Sequence, residues 1–389
     1  RGSVATRINA QGLIENVASG QSRLDYPLID GVQKGCPHHI LEPARTNLIQ
    51  YSEAFDNAYW VKTGSSITSN VAISPDGSLN ADKLVEGTNN GGHNIQRVEN
   101  VSNATIYTSS VFVKYGGREW IRFTDAQSSN RIHFNTLTGA FGAITGTVID
   151  YNSIALSNGW YKLSITTTSV ATAYALRVSL AEADNDVSYT GDGTSGVYIF
   201  GAMLEAGSYP TSYIPTNGTA VTRSAETANG AGNSTTFNDS EGVLMAEISA
   251  LSNDGTNRFI SISDGTISNY VSIVFDTDNN INARQAPGSV NISTSGINIL
   301  NSNKIAYEYQ SGSQELWVNG FKIGTTSVST LPSGLDRLNF DSFNGGDDMY
   351  CKTKQLQYFD SALADTQLEQ LTSWQSFRDM ANGQLYTIE

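Results

Sequence analysis

Two cysteines in 389 residues, Cys36 and Cys351, are too few for a disulfide framework, and neither lies in a Cys-x-x-Cys. Their connectivity is not legible in sequence. Two separate thiols is one reading, and a bridge tying the N-terminal segment to the last domain is the other. Charge is scarce, at 15% of residues, and the Ala/Glu/Lys/Leu bias of a helical bundle is missing. Basic residues number 23 against 37 acidic ones, a formal net charge of -14. A chain of that sign is repelled by phosphate backbones, so nucleic acid is not an expected partner. No apolar run approaches the ~20 residues of a membrane span, so no membrane insertion is expected. No signal peptide is visible, and the chain begins at Arg1 rather than Met, which leaves an upstream segment open. The four histidines, His38, His39, His93 and His133, form no zinc-binding spacing. No Gly-x-Ser-x-Gly elbow and no P-loop occurs.

What is abundant is Gly, Ser, Thr and Asn, in clusters separating runs of β-branched and aromatic residues. That pattern predicts an all-β protein. Tyr161, Leu163 and Ile165 alternate with Lys162 and Ser164. Tyr174, Leu176, Val178 and Leu180 alternate with Arg177 and Ser179. Period two over such lengths means half-buried antiparallel strands. The run from Val197 to Leu204 is apolar on both faces, as a central strand would be. Later strands are expected at Val243 to Ile248, Phe259 to Ser263, Tyr270 to Phe275 and Ile305 to Tyr309. Leu316 and Val318 alternate, Asn319-Gly320 supplies a turn, and Phe321 and Ile323 alternate on the return, which predicts a tight hairpin.

These segments predict an N-terminal extended strap over residues 1–45, with Pro27, Pro37 and Pro43 opposing helix. A first antiparallel β-sandwich follows over 46–216, then a small-polar linker or surface crossing over 217–236. A second sandwich covers 237–375, and 376–389 is a tail. An alternative lets the strap complete the second sandwich, so that the first is an insertion. A short capped C-terminal helix is expected over Asp360 to Leu371, in which Thr366-Gln-Leu-Glu matches a capping box. Leu368, Leu371, Trp374 and Phe377 would share its apolar face.

The stretch from Glu315 to Gly320, with Asp360 to Leu371, resembles the C-terminal half of concanavalin A-like (laminin-G-like) lectin domains. Asn47 to Trp60, Asn158-Gly-Trp-Tyr-Lys-Leu and Phe200-Gly-Ala-Met-Leu-Glu-Ala-Gly resemble jelly-roll carbohydrate-binding modules. Ala5-Thr-Arg-Ile-Asn, Leu41 to Ile49, Ser212-Tyr-Ile-Pro-Thr and Val221-Thr-Arg, taken together, look like tail-associated structural proteins of bacteriophages. The resemblance implies a jelly-roll first sandwich and a virion localisation, as tail fibre, spike or receptor-binding subunit. It also implies host cell-surface glycans and other virion proteins as partners, and a homo-oligomer, with a trimer suggested. Three rivals stay open: a secreted bacterial carbohydrate-binding protein, a polysaccharide depolymerase and a capsid-decorating fibre.

Glycan binding needs flat aromatic faces beside hydrogen-bonding groups. The candidates are Tyr59, Trp60, Trp120 and Tyr151 in the first sandwich, and Tyr270, Trp317 and Phe343 in the second. Trp317 is the favoured exposed platform. Trp160 opens a strongly alternating strand and is read as structural. Glycoside hydrolysis would need two carboxylates roughly 5 to 10 Å apart. No Glu-x-Asp-x-x-Glu exists, and the pairs Glu241/Glu247 and Glu308/Glu315 are read as solvated surface, so no enzyme is expected.

No cofactor is required, and calcium is the one plausible ion. Its candidate ligands are Asp276 and Asp278 in one loop and Asp347 and Asp348 in another, though Asp/Asn/Gly loops also serve as ordinary turns. Jelly-roll carbohydrate-binding modules often hold a structural calcium near the opening loop and closing strand. Glu53, Asp56 and Glu205 match those regions by location.

Overall fold

The computed structural model describes residues 1–125 and 129–383, without the side chains of Phe377 and Asn382. Phe377 on the expected helical stripe and the end of the expected tail therefore lie outside the described residues. The fold is nearly all-β, antiparallel within the named ladders, with two short α-helices near the C-terminus among the described residues, Asp365–Thr372 and Phe377–Gly383. The chain divides into two compact units, residues 1–37 with 44–224, and residues 38–43 with 225–389.

The first unit pairs two six-stranded sheets. One runs Asp150–Ala155, Trp160–Thr168, Ile106–Tyr115, Gly196–Ala206, Leu79–Glu86, Ser65–Ile73. The other runs Phe141–Thr145, Asn130–Asn135, Trp120–Asp125, Ala173–Ala181, Asn94–Asn100, Val61–Thr63. Their facing side chains, among them Val111, Ile121, Phe123, Phe134, Leu163 and Val178, form one buried cluster. Gly196–Ala206 is central and almost wholly buried, as its doubly apolar pattern requires.

The second unit stacks a six-stranded sheet on another sheet around Leu244, Ile260, Ile273, Tyr307 and Leu316. In the latter, His38–Ile40, Cys351–Phe359, Glu241–Ala250, Asn303–Gln310, Ser313–Val318 and Phe321–Thr326 lie side by side in that order. The expected hairpin closes through Asn319 and Gly320 with φ of 52° and 86°. That geometry is the one that matches strand twist.

Three expectations change. Residues 1–45 do not act as one strap: His38–Ile40 pairs with Cys351–Phe359 in the second unit, whereas residues 1–37 belong to the first. Residues 217–236 are more than a linker. Val221–Arg223 pairs with Arg45–Asn47, and Asn229–Ala231 pairs with Arg337–Asn339, because small polar residues still donate a backbone ladder. The helix Asp365–Thr372 begins later than Asp360, and its cap lies at Ala364 rather than Thr366, where Gln367 Oε1 accepts the Ala364 N–H at 2.9 Å. Its stripe is shorter too. Leu368 is buried, but the helix ends before Trp374. The cysteines follow the first of their two readings: both are free thiols, Cys36 exposed and Cys351 buried.

Candidate functional site: an arginine-lined sheet face

In the first unit, the sheet containing Trp120–Asp125 turns Ile121 and Phe123 inward. Alternation then places Trp120, Arg122 and Thr124 on its outer face. The register aligns their neighbours in rows. Arg122 stands opposite His133 on one side and Ser179 on the other. Thr124 stands opposite Arg131 and Arg177, and Arg177 opposite Gln96. Trp120 closes the strip between Asn135 and Ala181.

Three guanidinium groups thus share one face of a chain whose net charge is -14. Among the described residues none of them makes an ion pair. Arg177 is held only by Gln96, whose Oε1 accepts from Nε at 2.7 Å and from Nη2. Among the described residues, buried Arg122 Nε, Arg131 Nε, Thr124 Oγ1, Ser179 Oγ and His133 Nε2 have no hydrogen-bond partner. Burial, together with the like charges of Arg131 and Arg177, holds Arg122 below the ordinary arginine range, and burial does the same to Arg177. Burial also pushes His133 below the usual imidazole value. Its Nδ1 lies 2.9 Å from the Ala143 carbonyl. A neutral ring therefore donates from Nδ1 and leaves Nε2 as an acceptor. Asp184 is the nearby carboxylate, 4.0 Å from that Nδ1, and it also accepts the Ala143 N–H at 2.9 Å. Buried polar atoms are normally paired, so five orphans on one face form a preorganised, unspent set of donors and acceptors.

Of the aromatic candidates, Trp120 alone joins this face. Trp60 is buried, donating Nε1 to the Tyr51 carbonyl at 2.9 Å, and Trp160 is buried likewise against Ile73 at 3.0 Å. Tyr59 lies half-buried under Arg97 and hydrogen-bonded to Glu99. Tyr151 is exposed but packs edge-on against Phe141 at 4.9 Å. Tyr270 and Phe343 come together, stacked at 4.3 Å, so each covers one face of the other.

Trp317 is not the exposed platform expected of it. It is 6% exposed and packs with Leu368 of the helix, because the helix Asp365–Thr372 covers the outer face of that strand. Its Nε1 donates to Glu315 at 3.0 Å. Three of the four paired carboxylates, Glu247, Glu308 and Glu315, are not surface groups either. Glu308 and Glu315 are buried directly opposite each other across adjacent strands. Glu308 accepts the Leu363 N–H at 2.7 Å, and Glu315 holds Lys322 at 2.9 Å, so both fasten the helix and its approach to the sheet. Glu247 is buried and accepts from Ser302 at 2.9 Å.

The calcium candidates scatter. Asp276 accepts the N–H groups of Asp278 and Asn280 at 3.0 and 2.9 Å, which is a self-contained turn. Asp348 accepts the Tyr350 hydroxyl at 2.8 Å, and Asp347 is exposed at φ 48°. Glu205 is buried against Thr211, with hydrogen bonds of 2.9 and 2.6 Å. Glu53 and Asp56 do share a shallow depression of about 140 Å³ with Asn80 and Asp82, and Glu205 is not part of it. Glu53 accepts the Tyr213 hydroxyl at 2.8 Å, and Asp82 accepts the Phe55 and Asn70 N–H groups at 3.1 and 2.9 Å. Among the described residues, no three His, Cys, Asp or Glu side chains gather as a metal site.

The fold defines a protein of two antiparallel β-sandwich units. No protein-family model and no curated protein sequence matches the chain. Solved structures similar to it include the CBM40 module of Ruminococcus gnavus IT-sialidase, at 14% identity and TM-score 0.31, covering 38% of this chain and 94% of that one. The same module has been solved with α2,3 sialyllactose bound. Domains LG4-5 of the mouse laminin α1 chain match at 10% identity and TM-score 0.24, covering 72% of this chain and 92% of that one. A Bacteroides ovatus protein assigned as carbohydrate binding matches at 12% identity and TM-score 0.28, covering 73% and 80%.

Proposed function

We propose that the protein is a non-catalytic glycan-binding protein whose first unit holds an acidic sugar on the arginine face. The observation that carries this reading is the set Arg122, Arg131 and Arg177, which among the described residues gathers without a carboxylate partner and with two buried, unbonded Nε atoms. A guanidinium matches a carboxylate or sulfate as a planar fork, and such charge-assisted bonds are about twice as strong as neutral ones. A sugar anion would relieve the repulsion among the arginines. Its hydroxyls would reach His133 Nε2, Ser179 and Thr124, and its ring would lie near Trp120. These roles need no reactive centre and no cofactor.

The finer placement is in a bacteriophage particle, as tail fibre, spike or receptor-binding subunit, with a trimer and other virion proteins as partners. It is supported only by the sequence segments that resemble such proteins. Immunogold labelling of particles and a mass measurement of the purified protein test it.

A glycan array carrying acidic and neutral oligosaccharides, read with and without chelator, tests the binding reading. Retention of sialylated, uronic or sulfated glycans over their neutral counterparts is expected. Loss in chelator would add a structural calcium, with Glu53 and Asp56 the first ligands to vary. No preference for acidic glycans would overturn the assignment of the face. Cleavage of a polysaccharide, seen as new reducing ends, would replace the non-catalytic reading.

A further inference from the structure

The edge where the two sheets of the first unit gape holds a second cavity, of about 450 Å³. Its walls are the edge strand Asp150–Ala155 of one sheet and the Thr138-Gly139 turn that follows Asn130–Asn135 in the other. Tyr161 lines it and rests edge-on against Phe134 at 5.1 Å. The third side is the small hairpin Leu28–Ile29 and Val32–Gln33, which contributes Leu28 and Asp30. The hairpin is fitted closely to this place. A Cβ on Gly31 would stand 2.4 Å from the Leu156 carbonyl oxygen, and φ at Gly31 is 74°. Asp30 next to it holds the left-handed φ of 50°. Asp-Gly with both φ values positive is the usual two-residue hairpin turn.

The polar groups here are uncommitted. Among the described residues the side chains of Asp30, Asn152, Ser153 and Tyr161 make no hydrogen bond or ion pair. Leu28, Ile154 and the Tyr161 ring supply apolar surface between them. The volume lies within the range of small-ligand sites, and convergent hydroxyl, amide and carboxylate groups around an aromatic ring suit a polyol. The lining has one charged residue, and it is acidic, so an anionic sugar is disfavoured here. Edge strand Asp150–Ala155 also has a partner on one side only within its sheet, which leaves backbone groups available to hydroxyls.

We infer that this cavity is a second saccharide site, separate from the arginine face, that takes a neutral hydroxyl-rich sugar of about disaccharide size. It goes beyond the acidic-glycan reading and does not depend on it. The test uses the whole chain on neutral and acidic glycan arrays, followed by titration with the neutral disaccharides lactose, maltose and cellobiose. Variants are Asn152→Trp, which fills the cavity from an edge strand, Asp30→Ala, which removes an exposed carboxylate, and the Arg122→Ala/Arg131→Ala pair. A neutral glycan that binds the native chain, is weakened at least tenfold by Asn152→Trp and by Asp30→Ala, and is unaffected by the arginine pair supports the site. Unchanged thermal unfolding of Asp30→Ala keeps the result separate from misfolding. No neutral glycan bound, or equal binding by Asn152→Trp and the native chain, overturns it. Acidic-glycan binding in the same variants reports on the arginine face alone, so either site can fail without the other.

Discussion

Arg122 and His133 face each other directly across neighbouring strands, and each keeps a buried ring or guanidinium nitrogen without a hydrogen-bond partner among the described residues. A cation beside an imidazole that burial already disfavours charging is an arrangement that folding alone does not favour. It becomes favourable when an anion sits over both.

Replacing Arg122 or Arg131 by alanine therefore separates binding from stability. Each charge-assisted bond contributes on the order of 1.5–3 kcal/mol, so acidic-glycan affinity should fall about 10- to 100-fold. Thermal unfolding should stay unchanged or rise, because Arg122 is held down by burial and by the charges of Arg131 and Arg177. Calorimetric titration and a melting curve on the same samples check both.

His133 sets a pH dependence. Its folded pKa lies below the ordinary value near 6.5, chiefly through burial. As pH falls past about 6.5, the unfolded chain takes up the proton before the folded one. The native chain should lose stability there until the folded ring titrates as well, and His133→Gln should remove that slope. Urea midpoints between about pH 5 and 8 show it. Bound anion raises the folded pKa, so saturating acidic glycan should flatten the slope.

Two of the candidate tryptophans, Trp317 and Trp120, should behave oppositely. Trp317 is covered by Leu368 and bonded to Glu315, so Trp317→Ala should cost about 3–5 kcal/mol of stability. Trp120 is half-exposed on the arginine face, so Trp120→Ala should leave the fold standing and weaken acidic-glycan binding. Denaturant unfolding paired with titration distinguishes them.

The contrast shows what the chain makes legible. Strands, the Asn319-Gly320 hairpin and the central strand Gly196–Ala206 follow from local alternation and turn chemistry, so they are readable residue by residue. The helix covering Trp317 is a tertiary event, and alternation gives a strand's two faces without saying which is roofed. Alternation also puts Arg122, Arg131 and Arg177 on polar faces. Their meeting depends on Ala173–Ala181 lying beside Trp120–Asp125, a neighbour some fifty residues away in sequence that no local pattern announces. Glu308 and Glu315 mislead for the same reason, since carboxylates are usually solvated and these two are buried by a later helix.

The thiols give an independent check on the fold. Cys36 is exposed, whereas burial pushes Cys351 up to about 12. A chromogenic disulfide reagent should modify one thiol in the native protein and two after denaturation, without prior reduction. Two native equivalents, or none, would contradict the packing around Cys351.

The most direct measurement is the titration of native and Arg122→Ala/Arg131→Ala protein with sialyllactose at low and high salt. Binding by the native chain that weakens with salt, and falls at least tenfold in a variant that still folds, is the predicted result. Equal affinity in the two proteins, or no binding of any acidic saccharide by the native chain, would contradict the claim that this sheet face holds an acidic sugar.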